Sequence, residues 1–299
     1  MHVEHIAVVG AGAVGCYFGG MLARAGVPVT LIGRAQHVEA INRDGLFVER
    51  NDFQTYVQLQ ADTRIESVRN ATIVLLCVKT IDTETAAAAI APHLGRDTLL
   101  VSFQNGVDNA ERIQNTTGIN AIPAVVYVAA EMSGPGRVKH NGRGDIVIGN
   151  VPRLSSLFTD VGIPCRVSDN IAGELWTKLV MNCAYNAISA VTGSRYAFIK
   201  DNPFSRGIMR NLIAEVVEVG YAAGVRLPST EQLFDAALTL GDAMATAISS
   251  TAQDIARGRL TEIDALNGYV ANRGKELGIP TPVNSTLHAL VKLLESPAR

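Results

Sequence analysis

The 299-residue chain holds only four cysteines, Cys16, Cys77, Cys165 and Cys183, and no CxxC pair, which argues against a disulfide framework or a cysteine-based zinc site. They read as small buried apolar groups, so a reducing, cytoplasmic compartment is expected. The six histidines show no HxxxH spacing and no accompanying carboxylate–cysteine cluster, and no metal site is predicted. An excess of charge of one sign is missing too. Lys and Arg number 26 against 28 Asp and Glu, giving a net charge of −2, and the bases form no stripe. The counterion release that supports nucleic-acid affinity therefore has no source. One long uncharged run exists, Ile6 to Ala23, but five of its residues are glycines and the preceding residues carry an acid and no Lys or Arg. That composition fits neither a membrane span nor a secretory leader.

What is present is 47% apolar and 18% charged sequence, long enough for two domains with their own cores. In the first half, Val-, Ile- and Leu-rich runs recur at 5–9, 29–32, 72–78, 98–102 and 121–130, with helix-like stretches at 14–25 and 83–93 between them. Such alternation predicts an α/β domain with a parallel sheet and crossover helices. Gly-punctuated alternations at Arg137-Val-Lys and Asp145-Ile-Val-Ile suit hairpin strands at a sheet edge. After about Val167 the pattern turns helical, over 171–191, 203–223, 231–257, 262–277 and 285–294, with Leu212, Val216, Val219 and Ala223 forming an apolar stripe. The expectation is a Rossmann-type domain over residues 1–168 and an all-helical domain over 169–299.

Gly10-Ala11-Gly12-Ala13-Val14-Gly15 follows an apolar strand directly and opens an amphipathic helix, the context that a dinucleotide fingerprint requires. The helix N-terminus offers N–H groups and positive partial charge to a pyrophosphate. In NAD sites an acid about 20 residues on holds the ribose hydroxyls. Here the second strand ends Leu31-Ile-Gly-Arg34. An arginine there can pair with a 2′-phosphate at about 1.5–3 kcal/mol, roughly 10- to 150-fold in affinity, so NADPH is the expected cofactor. The plainer reading of Arg34 is a solvated loop residue.

Ligands of open parallel sheets sit beyond the strands' carboxyl ends, where Lys79 and Asn105 fall. Either residue could also be an ordinary strand-end group. Lys178, Asn182 and Asn186 recur at i, i+4 and i+8 on one face of an otherwise apolar helix, which suggests a functional cleft or a polar stripe at an interface. Ser250 and Asp254 stand one turn apart in the predicted 231–257 helix. Thr261 reads as an N-cap with Asp264 completing a capping-box-like start, and Glu262 could serve only the helix dipole. His140, among glycine turns, reads as structural.

Together these residues resemble the ketopantoate reductase (2-dehydropantoate 2-reductase) family, NADPH-dependent enzymes of pantothenate biosynthesis. The likeness runs nearly end to end: the GAGAVG loop, Val78-Lys79-Thr80, Gln104-Asn105-Gly106, Gly134-Pro-Gly to His140-Asn-Gly, Trp176-Thr-Lys178-Leu with Asn182 and Asn186, and Ser250 through Asp254 to Thr261-Glu262-Ile-Asp264 with Asn267-Gly268. The resemblance implies reduction of ketopantoate to pantoate or of a related 2-oxo acid. Lys178 would be the general acid and Glu262 would orient it and contact the cofactor. Asn105, Asn182, Asn186 and Ser250 would position substrate or nicotinamide ribose, Asp254 would support them, and Arg34 and Lys79 would hold the cofactor's phosphate end. Three positions depart from the family pattern: Ala187 where proline is common, Tyr196 where an asparagine contacts substrate, and Asp82 in place of glutamine. A β-hydroxyacid dehydrogenase and a non-catalytic NADPH-sensing protein are the competing expectations. The expected partner is a small 2-oxo acid, with no nucleic acid and no membrane, and a homodimer through the helical domain is compatible with the reading.

Overall fold

The computed structural model describes residues 4–295, in two compact units, Met1–Ile171 and Ala172–Arg299. In the first unit the strands are β1 (Ile6–Val9), β2 (Val29–Ile32), β3 (Leu46–Glu49), β4 (Gln54–Val57), β5 (Gln60–Asp62), β6 (Ile73–Leu76), β7 (Leu99–Ser102), β8 (Ile122–Gly134), β9 (Arg137–Ile148) and β10 (Cys165–Val167). Its helices are α1 (Ala13–Arg24), α2 (Ala35–Asp44), α3 (Thr83–Ile90), α4 (Asn109–Thr117) and α5 (Pro152–Asp160). The strands form one mixed sheet in the order β4-β3-β9-β8-β7-β6-β1-β2-β5, with β10 also alongside β9. β1 lies in parallel register between β2 and β6, Ile6 facing Val29 on one side and Ile73 on the other.

The inner strands are apolar at every position but Thr30 and Ser102, because helices cover both faces. Ile6, Val8, Leu31, Ile73 and Leu75 pack with Phe18 and Leu22 of α1, whereas Ala7, Val9, Ile32, Val74 and Leu76 pack with Ala87, Ile90 and Ile113 of α3 and α4. The 121–130 run enters parallel to β7 and continues to Gly134 as an antiparallel partner of β9. The two short hairpin strands expected at 137–139 and 145–148 are one strand, bent by bulges and carrying Arg143 at φ 57°. His140 lies in that strand, its ring stacked on Tyr17 at 4.5 Å.

The second unit is helical: α6 (Ile171–Thr192, whose first residue closes the first unit), α7 (Tyr196–Asp201), α8 (Pro203–Ala222), α9 (Thr230–Ala243), α10 (Ser250–Ala256), α11 (Asn267–Leu277) and α12 (Pro282–Glu295). Leu212, Val216 and Val219 are fully buried, as their spacing predicts. Glu215, on the same helix, accepts from Val283 N–H at 2.8 Å, Asn284 N–H at 2.9 Å and Asn284 Nδ2 at 2.8 Å, so a carboxylate holds the start of α12.

Two helical expectations are corrected. The 231–257 helix is broken between α9 and α10 because Ala245 and Ala247 give their carbonyls to the N–H groups of Ala197 and Tyr196 at the start of α7, and Ser249 then caps α10 through Ala252 N–H. The 262–277 helix is a 3-10 turn, Ile263–Ala265, followed by α11. Thr261 accepts from Ile263 N–H, but its own N–H donates to Glu295 and Asp264 turns to His288 and Lys292, so no capping box forms. Among the described residues no helix is long and apolar enough to cross a membrane.

Candidate active site

In the first unit the glycine loop leaves β1 where the chain's neighbours diverge, β2 to one side and β6 to the other, the position at which open α/β sheets bind ligands. Gly10 and Ala11 N–H groups both donate to Ile32 O, at 2.8 and 3.2 Å, which folds the turn over the end of β2. Gly10 has φ 112°, and a Cβ there would stand 2.7 Å from the Cys77 carbonyl carbon, so only glycine fits. A Cβ on Gly15 would stand 2.1 Å from Gly10 O. Gly12 differs: it precedes α1 with no side-chain cap, and a Cβ there would meet nothing within 4 Å. The space at Gly12, at the start of α1, is thus open, the room a pyrophosphate would need, while Val14 packs against the core.

The other candidates of this unit stand at the ends of neighbouring strands. Arg34 is exposed beyond β2, its carbonyl accepting from His37 and Val38 N–H to start α2. Burial and the charge of Arg34 lower the pKa of the His37 imidazole. Lys79 follows β6 and opens the 3-10 turn Thr80–Asp82, and Asn105 follows β7. A buried polar network ties these two loops together. Asn105 O accepts from the Thr80 hydroxyl at 2.7 Å and from Asn109 Nδ2 at 2.6 Å. Thr83 Oγ1 accepts from Gln104 Nε2 at 2.7 Å and lies 2.8 Å from both Thr80 O and Asn109 Oδ1, either of which takes its proton. Sequence reading quoted Thr80 and Gln104 in their motifs without a role and missed Thr83 and Asn109; the signal available was their flanking of Lys79 and Asn105. Burial raises the carboxyl pKa of Asp108, at the start of α4.

In the second unit Lys178 and Asn182 are half-buried and Asn186 is buried, one turn apart along α6 among Leu179, Val180, Cys183, Ala184 and Ala187. The Tyr196 ring stacks on Tyr185 at 4.2 Å and its hydroxyl donates to Asn186 Oδ1 at 3.5 Å. Ser249 joins the group, donating to Asn186 O at 3.2 Å. Ser250, the next residue, is exposed at the first position of α10, and Asp254 is half-buried one turn later. Glu262 is half-buried and precedes the 3-10 turn, its carbonyl accepting from Ala265 N–H. The Tyr196 departure is therefore in contact with a predicted substrate residue, whereas Asp82 lies in the first unit at the start of α3.

Comparison with known proteins gives one picture. Residues 6–153 match the family model described as Ketopantoate reductase PanE/ApbA, and residues 170–295 match that of its C-terminal part. A 2-dehydropantoate 2-reductase of Pyrococcus horikoshii is 33% identical over 300 residues, covering 97% of each chain. The crystal structure of a PanE/ApbA family ketopantoate reductase from Ralstonia eutropha is 46% identical over 98% of each chain, with a TM-score of 0.94. A ternary structure of D-mandelate dehydrogenase with NADH and anilino(oxo)acetate is 25% identical over 98% of each chain, with a TM-score of 0.91. With both parts of the family matched in order and little of the chain left over, this protein belongs to the ketopantoate reductase family.

Proposed function

We propose that the protein reduces ketopantoate, or a closely related 2-oxo acid, with NADPH, residues 1–168 holding the cofactor and residues 169–299 supplying the catalytic lysine. The observation that carries the cofactor half is the uncapped start of α1 behind Gly12, open where a pyrophosphate would lie. Gly10 to Gly15 would cradle that group, with Lys79 and Arg34 taking phosphate charge farther along. When bound, the nicotinamide supplies the hydride. The chain's own part is to hold the ketoacid and manage charge on its carbonyl oxygen. Lys178 neutralises that oxygen and donates its proton, an effect typically worth about 10²–10⁴ in rate. Glu262 orients the ammonium and touches the cofactor side. Asn105, Asn182, Asn186 and Ser250 position the substrate and ribose, and Asp254 supports them.

One observation favours a 2-oxo acid other than ketopantoate. Asn186 bonds Tyr196 inside an aromatic pair, at the position where the resemblance expects a substrate-contacting asparagine. The structurally similar D-mandelate dehydrogenase, whose structure holds anilino(oxo)acetate, a carboxylate with an adjacent amide carbonyl that mimics an aryl 2-oxo acid, supports that widening.

A panel of 2-oxo acids with NADPH, followed by cofactor absorbance, tests the reading. Turnover of ketopantoate or a branched or aryl analogue is expected. Lys178→Ala should lower turnover about 10²–10⁴-fold and leave NADPH affinity within a few-fold. Tight NADPH binding with no turnover of any 2-oxo acid would instead make the protein a sensor, and unchanged turnover in Lys178→Ala would remove the lysine from the chemistry.

A further inference from the structure

β2 and β5 run parallel, with Thr30 opposite Gln60 and Ile32 opposite Asp62. Their pairing continues past the strand ends, since Gly33 N–H donates to Asp62 O at 3.1 Å. Two residues beyond the last pair stand Arg34, which caps the start of α2, and Arg64, which caps the start of the 3-10 turn Ile65–Val68. β5 is fixed from its outer side by α2: the Asn42 amide donates to Ala61 O at 2.9 Å and accepts from Ala61 N–H at 3.2 Å, taking the place of a further strand.

Asp62 puts an acid beside this end of the sheet, where a carboxylate would suit ribose hydroxyls and repel a phosphate. Its oxygens are already engaged. They accept from Arg64 Nη2 at 3.0 Å, Arg64 Nε at 3.2 Å, Arg64 N–H at 3.0 Å and the Ser67 hydroxyl at 2.6 Å. The bonds from Arg64, followed by that from Ser67, hold the Asp62 carboxyl far below the usual carboxylate range. The acid is thereby neutralised locally and turned toward its own loop. The same clasp uses the Nε–Nη2 edge of the guanidinium, leaves Nη1 clear of Asp62, and keeps the side chain 77% exposed.

We propose that Arg64 is a second specificity residue for the cofactor, reading the 2′-phosphate together with Arg34 from the paired ends of β2 and β5. The inference rests on the NADPH reading above and adds to it. Paired with Asp62, Arg64 adds little net charge, and its part is directional: the Nη1 N–H groups give a phosphate oxygen a second charge-assisted donor beside the Arg34 guanidinium. Asp62 serves as the positioning residue that fixes the second.

The test is fluorescence titration of NADPH and NADH against the wild type, Arg64→Gln and Arg64→Lys, with thermal unfolding of each. Arg64→Gln should weaken NADPH roughly tenfold and leave NADH within about twofold, with Arg64→Lys recovering part of the loss. Unchanged NADPH affinity in Arg64→Gln overturns the assignment. So does an equal loss for both cofactors, which would mean that Arg64 only shapes the loop. A wild type that binds NADH more tightly than NADPH would defeat the cofactor reading itself, a result visible before any variant is made.

Discussion

Replacing Gly12 with alanine separates the loop's part in folding from the cofactor binding proposed for it. Gly12 has φ −89° and ψ −169°, ordinary extended backbone for any residue, and the added methyl meets no atom within 4 Å. Alanine is a poorer N-cap than glycine by a few tenths of a kcal/mol or more, and the restricted unfolded chain returns about 0.4–1 kcal/mol, so stability should change by no more than ~0.5 kcal/mol. In a unit of this size that is a shift of at most about 2 °C in Tm. Binding should respond differently. If the proposed cofactor's phosphate lies there, a methyl on the open side would hold its oxygens away from the first N–H groups of α1, and losing a charge-assisted bond of about 1.5–3 kcal/mol should weaken NADPH roughly 10- to 150-fold. Gly10→Ala is the control: its methyl would stand 2.7 Å from the Cys77 carbonyl carbon at φ 112°, which should cost more than about 3 kcal/mol and lower Tm by roughly 6 °C or more. Thermal unfolding and cofactor fluorescence read both effects. A stable Gly12→Ala protein that binds NADPH like the wild type would show that no phosphate lies on this loop.

Three further outcomes are expected. Thr83→Val leaves Gln104 Nε2 and Asn109 Oδ1 without their shared hydroxyl in a buried site, so urea unfolding should show a loss of about 2–4 kcal/mol. Glu215→Leu strips the start of α12 of three bonds to a carboxylate and should cost at least about 3 kcal/mol in the same assay. Burial alone would raise the carboxyl pKa values of Asp264 and Glu295, but bonds from His288 and Lys292 to the first, and from Lys292 and Thr261 to the second, leave both lowered. Their contribution to stability is therefore complete above the unfolded carboxyl range near pH 4 and lost as pH falls through the lower folded values. Asp264→Asn should flatten that acid limb; an unchanged slope would mean that the pairing with His288 and Lys292 contributes nothing.

The strands buried on both faces, β1, β2, β6 and β7, are legible as nearly unbroken apolar runs, and the start of β8 as the 121–130 run. β4 and β5 escaped because Gln54–Val57 and Gln60–Asp62 lie at the sheet's two ends and carry polar side chains that no periodicity marks. The break between α9 and α10 escaped for another reason. Helical spacing continues through 244–249, and only the distant N–H groups of Tyr196 and Ala197 show where those carbonyls go. In the candidate site, the glycine loop and the α6 stripe were legible as local patterns. The Thr83–Gln104–Asn109 network was not, because its members become neighbours only when β6 and β7 pair.

A sheet ordinarily ends in backbone that can template a stray chain, and a newly made protein in a crowded cell meets many of those. At Ala61 the outer strand's amide and carbonyl are both taken by Asn42, in a strand only three residues long. One side-chain amide thus closes that border against runaway β-addition, and Asn42→Ala would be expected to clump during refolding before it lost any catalysis.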